Sequence, residues 1–218
     1  MTLLNWLETI VMGGILGTAL LFRPWLPLRH GPLQSPWLAA LAILPLAWWT
    51  QHLLPSGIGL HLSGACLAVL MFGWPLAMWT MALVALVADT VAIGSLPAWT
   101  SWVSHTVWMG LLPGTLGLGL GLMIRRWLPH HLFVYILGRG FISTALAVSL
   151  MGVLAWWLGR QPDTLSTEEW LLGHWLLGWG EAISTGMLTS IFVAFKPEWL
   201  LTYSDARYLP PPERPSPH

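Results

Sequence analysis

The sequence predicts an all-α fold: a polytopic membrane helical bundle of about seven transmembrane helices, N-terminus outside and C-terminus inside. Three observations carry this. Of 218 residues, 56% are hydrophobic and 8% charged, whereas a soluble domain carries roughly a quarter charged residues. Apolar segments of membrane-spanning length follow one another with short polar breaks between them. The cations collect on alternate breaks, as they do when one side of a membrane is cytoplasmic. Composition also excludes functions. A net charge of zero with nine Lys plus Arg argues against nucleic acid as a partner. The single cysteine, Cys66, rules out an internal disulfide and cysteine-cluster metal sites. Lys196 stands alone as lysine and outside any Gly-x-x-x-x-Gly-Lys-Ser/Thr pattern, so the chain lacks that route to ATP hydrolysis.

The first span runs from about Leu3 to Phe22. No basic residue precedes it and Arg23 and Arg29 follow it, the reverse of a secretory signal, so it is expected to be retained. The second covers about Pro36 to Leu54. The third starts near Gly59 and stops at Gly73-Trp74-Pro75, short for a full crossing. The fourth is Pro75 to Ile93, the fifth Thr100 to Ile124. Arg125-Arg126-Trp127-Leu128-Pro129 then breaks the chain before a sixth span, Leu132 to Leu158. A polar loop, RQPDTLSTEE, leads to the seventh, Trp170 to Phe195. Residues 1–199 therefore read as one integral membrane domain, and 200–218 as a polar cytoplasmic tail whose proline-rich end is expected to be disordered.

With the N-terminus outside, the inner segments carry Arg23, Arg29, Arg125, Arg126, Lys196, Arg207 and Arg214, and the outer loops carry Arg160 alone. Seven cations against one fixes the orientation. Tryptophans fit the two interfaces: Trp6, Trp99, Trp102 and Trp170 outside, Trp25, Trp37, Trp127 and Trp199 inside.

Topology then gathers polar residues at the outer face. His61 heads the run GLHLSGACLAVLMFG (59–73), where His61, Gly64, Ala65 and Ala68 share a helical face of small residues suited to close packing. His52 ends an outward span, Asp89 lies near the outer end of the fourth, and His105 and His174 begin the fifth and seventh. The amine of Met1 is outside as well. Imidazole and carboxylate suit divalent Co, Ni, Cu and Zn. Each histidine taken singly also serves as a headgroup anchor, and Asp89 needs either a partner or a wet cavity. Two charges lie deeper, Glu181 and Arg139; they are expected to sit within about 5 Å of one depth and to form an intramembrane ion pair, with a place on a transport pathway as the other reading. Glu8, two turns into the first span, is placed to face the outer cavity. Gly13 to Gly17 is a Gly-x-x-x-Gly packing pattern. No His-Glu-x-x-His helix or Ser/His/Asp pattern points to an enzyme.

His61 to Gly73, HLSGACLAVLMFG, resembles the His-x-Thr-Gly-x-x-Leu-(Ala/Gly)-x-(Ile/Leu)-x-x-Gly segment of cobalt/nickel-uptake membrane components. These are the CbiM/NikM-type substrate-binding subunits of energy-coupling factor transporters. LPHHLFVY (128–135), EAISTGM (181–187), KPEW (196–199) and DARYL (205–209) are similar to later segments of a proteobacterial, energy-coupling-factor-permease-like branch. The resemblance implies a seven-helix subunit with an outward N-terminus. It implies a metal held by the N-terminal amine, a histidine at position two and a histidine in the third span, to which His61 corresponds. SHTVWMG (104–110) looks like the family's Ala-Asn-x-x-Asn-Met-Gly, with His105 in place of an asparagine. Thr2 stands where the family has histidine, so the second-position imidazole is absent and His105 is expected to replace it.

The expected function is transition-metal uptake across a bacterial inner membrane by a substrate-binding permease subunit, Co or Ni by resemblance, Zn or Cu by donor chemistry alone. Energy would come from separate ATPase subunits through a coupling membrane protein, with Arg125 and Arg126 as inner-face contacts. The other reading is a membrane-embedded metal-delivery or assembly factor that is not coupled to ATP.

Overall fold

The computed structural model describes residues 3–29, 31–49, 62–129 and 131–208. Those residues are helical, with no strands among them. Five helices are long and apolar enough to cross a membrane. The helices are α1 (Leu3–Leu21), α2 (Gln34–Trp49), α3 (Ala65–Ile93), α4 (Trp99–Trp127), α5 (Val134–Trp157), α6 (Thr167–Phe195) and the single-turn α7 (Asp205–Tyr208). We call the end of the bundle that holds Leu3 the outer end, following the charge rule.

The third and fourth spans of the sequence reading form one element, α3, broken at Gly73. Gly73 has φ 73° and ψ 158°, a conformation that L side chains avoid, and Pro75 follows it within the helix. The eight residues before the break therefore make a half-helix, and the remainder a full crossing. The half-helix begins at Ala65, after the bend at Gly64, and the expected start of the third span, Gly59 to His61, lies outside the described residues. The end of the second span, beyond Trp49, lies outside the described residues.

The C-terminal end of the half-helix leaves backbone carbonyls without helical donors. The chain that follows α6 supplies them: Leu201 N–H donates to Met71 O at 2.9 Å, and the Thr202 N–H and hydroxyl donate to Leu70 O at 3.3 and 2.9 Å. Thr202 also shares a 2.8 Å hydrogen bond with the Tyr135 hydroxyl. Tyr203 and Tyr208 stack at 5.5 Å and both pack on Tyr135, at 5.1 and 5.0 Å between ring centroids. Residues 200–208 thus pack against the inner end of the bundle, and this burial pushes the Tyr203 hydroxyl up to about 12. The proline-rich end lies outside the described residues.

Glycine permits the closest helix contacts. A Cβ on Gly178 of α6 would lie 2.8 Å from Ala145 O and 2.7 Å from Ser149 Oγ of α5, so these two backbones touch there. Gly114 and Gly117 of α4 take side chains of α3 in the same way. Gly13 and Gly17, the packing pattern visible in the sequence, meet nothing within 4 Å among the described residues.

Candidate functional site

The site is built where α4, α5 and α6 diverge toward the outer end around the start of α3. They enclose a cavity of about 220 Å³, roomy enough for a metal ion with several waters, walled by His105, His174, Glu181, Ser63, Trp108 and Arg160 among others.

His105 lies on α4 immediately before a wide π-turn, Thr106–Leu111, of the kind that often marks functional positions in helices. Its Nδ1 is 2.6 Å from Asp89 Oδ1 on α3. A carboxylate accepts only, so Nδ1–H is the donor and the Nε2 lone pair is left for a ligand. Asp89 is 3% exposed, and its Oδ2 has no hydrogen-bond partner among the described residues. His174 on α6 is held by a parallel device. Its Nδ1–H donates to Trp170 O at 3.0 Å, one helical turn earlier, and its ring leans on Trp170 at 4.2 Å. Trp170 in turn donates from Nε1 to Gly152 O at 3.0 Å. Gly152 is obligatory: a Cβ there would lie 2.3 Å from His174 Cβ. Each imidazole therefore has Nδ1 committed to an acceptor and Nε2 without a hydrogen bond among the described residues, which is how proteins prepare histidine as a metal ligand.

Glu181 forms the floor. It is 1% exposed, and its two carboxylate oxygens each accept a backbone N–H at 3.0 Å, from Ser63 and Gly64. These are orphan donors at the N-terminus of the half-helix, where a negative charge is favoured. Ser63 Oγ accepts from Ala65 N–H and Ser63 O from Trp48 Nε1, each at 3.0 Å, and Gly64 takes φ 66° at the bend. The outer wall is a second cluster. Glu8 of α1 accepts from Trp108 Nε1 at 2.7 Å and from Arg160, whose guanidinium lies 4.7 Å over the Trp108 ring and also donates to Ser104 Oγ at 2.8 Å.

The sequence-derived set divides accordingly. His105, His174 and Glu181 share the cavity wall, with Asp89 behind His105. His61, His52 and Met1 lie outside the described residues. Among the described residues no three His, Cys, Asp or Glu side chains gather closely enough to hold a metal ion. Glu181 and Arg139 do not form the expected ion pair. Gly140 lies against Thr189, eight residues past Glu181, which puts Arg139 about 12 Å nearer the inner end. Glu181 spends its acceptors on backbone, and Arg139 packs over the Tyr135 ring at 5.4 Å. Arg125 is half-buried at the inner end of α4 and Arg126 exposed beside it. In the sequence Arg160 reads as a loop cation; its partner Glu8 is 152 residues away, and nothing local signals the pairing.

Fold and site together define a multi-pass helical membrane protein with an imidazole-lined cavity toward one face. Its membership is specific: the model of the family described as cobalt uptake substrate-specific transmembrane region matches residues 6–199, and the chain belongs to that family. No curated protein and no solved structure matches the chain. The family is a transporter component and not an enzyme family, and the substrate it implies is cobalt.

Proposed function

We propose that the chain is the substrate-binding permease subunit of a transition-metal uptake system in a bacterial inner membrane, and that it captures its ion in the outer cavity. The carrying observation is the pair of imidazoles on that wall, His105 and His174, each oriented through Nδ1 with Nε2 unspent. Two imidazoles are fewer than a first-row divalent ion takes. His61, two positions before Ser63 in the chain, is the third nitrogen in this reading, with the Met1 amine completing the set and His52 as a further donor. Asp89 is a positioning residue: it holds His105 and raises the basicity of its Nε2. Thr2 removes one family imidazole, and His105 takes its place. A nitrogen-rich set accepts Co and Ni, and equally Zn and Cu. Transport energy comes from separate ATPase subunits through a coupling membrane protein on the inner face, where Arg125 and Arg126 are contacts for it.

The test is elemental analysis of the protein purified in detergent with its native N-terminus and loaded with Co²⁺, Ni²⁺, Zn²⁺ or Cu²⁺ in turn. Wild type should bind near-stoichiometrically, and His61→Ala, His105→Ala and His174→Ala should each lower affinity by at least about tenfold. Unchanged affinity in both His61→Ala and His105→Ala overturns the assignment. Co-purification with an ATPase separates the transporter reading from an uncoupled metal-delivery factor.

A further inference from the structure

The inner end of the bundle holds a cation that has no counter-charge among the described residues. Arg139 is 5% exposed, its Nε is buried, and no hydrogen bond or ion pair to its guanidinium is formed by the described residues. A buried guanidinium left uncompensated is strongly destabilising, and in a membrane such a residue faces a partner or a cavity. Arg139 faces a cavity. A recess of about 10 Å³ lies between α4, α5 and the tail, walled by Arg125, Tyr135, Arg139 and Tyr208. The described carboxylates at this end are engaged elsewhere: Glu198 is 3.5 Å from Lys196, and Asp205 lies against the Tyr203 hydroxyl.

We infer that this recess between Arg125 and Arg139 binds a phosphate oxyanion at the inner membrane face. Its volume admits about one water-sized group, so it takes a single phosphate oxygen and leaves the rest of the molecule at the mouth. Two guanidinium groups, one buried and one half-buried, can each donate a charge-assisted hydrogen bond to that one oxygen. Arg125 stands in the last turn of α4, at the inner end of the bundle, the side on which anionic lipids concentrate and basic pockets between helices hold their headgroups. Free phosphate offers the same oxygen. Tyr208, on the tail that also caps the half-helix, forms one wall, so an occupied recess ties that tail to α4 and α5.

The full-length protein, delipidated in detergent, is titrated with phosphatidylglycerol, with phosphatidylcholine and with inorganic phosphate, and retained lipid is read by native mass spectrometry. Thermal stability is read in parallel. Wild type should prefer phosphatidylglycerol by roughly fivefold for each cation engaged. Arg125→Gln and Arg139→Gln should abolish the preference, while Arg126→Gln leaves it intact. Arg125 is half-buried, so its variant keeps the test valid where loss of Arg139 unfolds the protein. Stabilisation of wild type by inorganic phosphate alone, lost in Arg125→Gln, assigns the site to free phosphate. Preference for phosphatidylglycerol without a phosphate effect assigns it to lipid. Neither effect in wild type, or an equal loss in Arg126→Gln, overturns the inference; the latter would make the recess part of a diffuse surface charge.

Discussion

Gly178 and Gly180 sit two residues apart on α6 and offer a controlled test of how the helix carrying His174 and Glu181 is held. A Cβ at Gly178 would meet Ala145 O, a backbone atom, at 2.8 Å and Ser149 Oγ at 2.7 Å, whereas one at Gly180 meets nothing within 4 Å. An alanine at either position gains the same helix propensity, up to about 1 kcal/mol, so that contribution cancels in the comparison. What remains is overpacking at Gly178. The serine hydroxyl can rotate away, but the carbonyl cannot, and α5 and α6 must separate by about half an ångström. Such overpacking costs about 1–3 kcal/mol. At about 2–4 °C per kcal/mol for a chain of this size, Gly178→Ala should melt about 2–12 °C below Gly180→Ala. Thermal unfolding in detergent, followed by far-UV circular dichroism, measures it. Metal affinity should also fall in Gly178→Ala alone, because His174 is four residues above the contact and Glu181 three below. Equal melting temperatures would show that α5 and α6 do not meet at backbone distance, and the cavity they enclose would have to be redrawn.

Other expectations follow from single contacts. Gly152→Ala drives a methyl into His174, within 2.5 Å of its Cγ, so it should lower metal affinity with little further effect than His174→Ala; calorimetric titration of both variants decides, and wild-type affinity in Gly152→Ala would remove His174 from the site. Asp89→Asn keeps an acceptor for His105 Nδ1 but removes the charge, and should weaken metal binding by about 10–100-fold without unfolding the protein. Thr202→Val removes the hydroxyl bonds to Leu70 O and Tyr135, a loss of about 1–3 kcal/mol, and should expose the segment after α6 to protease; unchanged melting and cleavage would refute the clasp.

Much of this was legible in the chain. Uninterrupted apolar runs gave the spans, and the break at Gly73-Trp74-Pro75 announced itself through residues that cannot continue a helix. Asp89 and His105 fell at one depth because a short turn joins their helices, and the structure brings them to 2.6 Å. Rotation and register between distant helices were not legible. Charge alone pairs Glu181 with Arg139, yet the partners of Glu181 are backbone N–H groups, which leave no signature in a sequence. Glu8 was placed at the outer cavity, but Arg160 as its partner depends on how α1 meets the α5–α6 loop. The glycine pattern of α1 reads like a packing face and meets nothing described, whereas Gly152 and Gly178 sit at tight contacts without a motif to mark them. Small residues state that an approach is permitted; the neighbouring helix decides whether it occurs.

The half-helix connects these findings. It is hydrogen-bonded at both ends and crosses only part of the bundle: Glu181 holds its N-terminal donors at the floor of the outer cavity, and Leu201 and Thr202 hold its C-terminal carbonyls at the inner face. Helical hydrogen bonds make eight residues a stiff unit, while Gly64 and Gly73, both at positive φ, are the points where the chain can turn at least cost. A displacement of the tail is therefore passed to Ser63 and Gly64 more readily than it is absorbed on the way. The tail also forms one wall of the Arg139 recess, through Tyr208. The expected consequence is coupling of the inner face to the cavity without movement of the long helices, and Thr202→Val tests it where that route would begin. A change in metal affinity on loosening a contact at the opposite end of the bundle would support the half-helix as a link; an unchanged affinity with a loosened tail would leave the clasp purely structural.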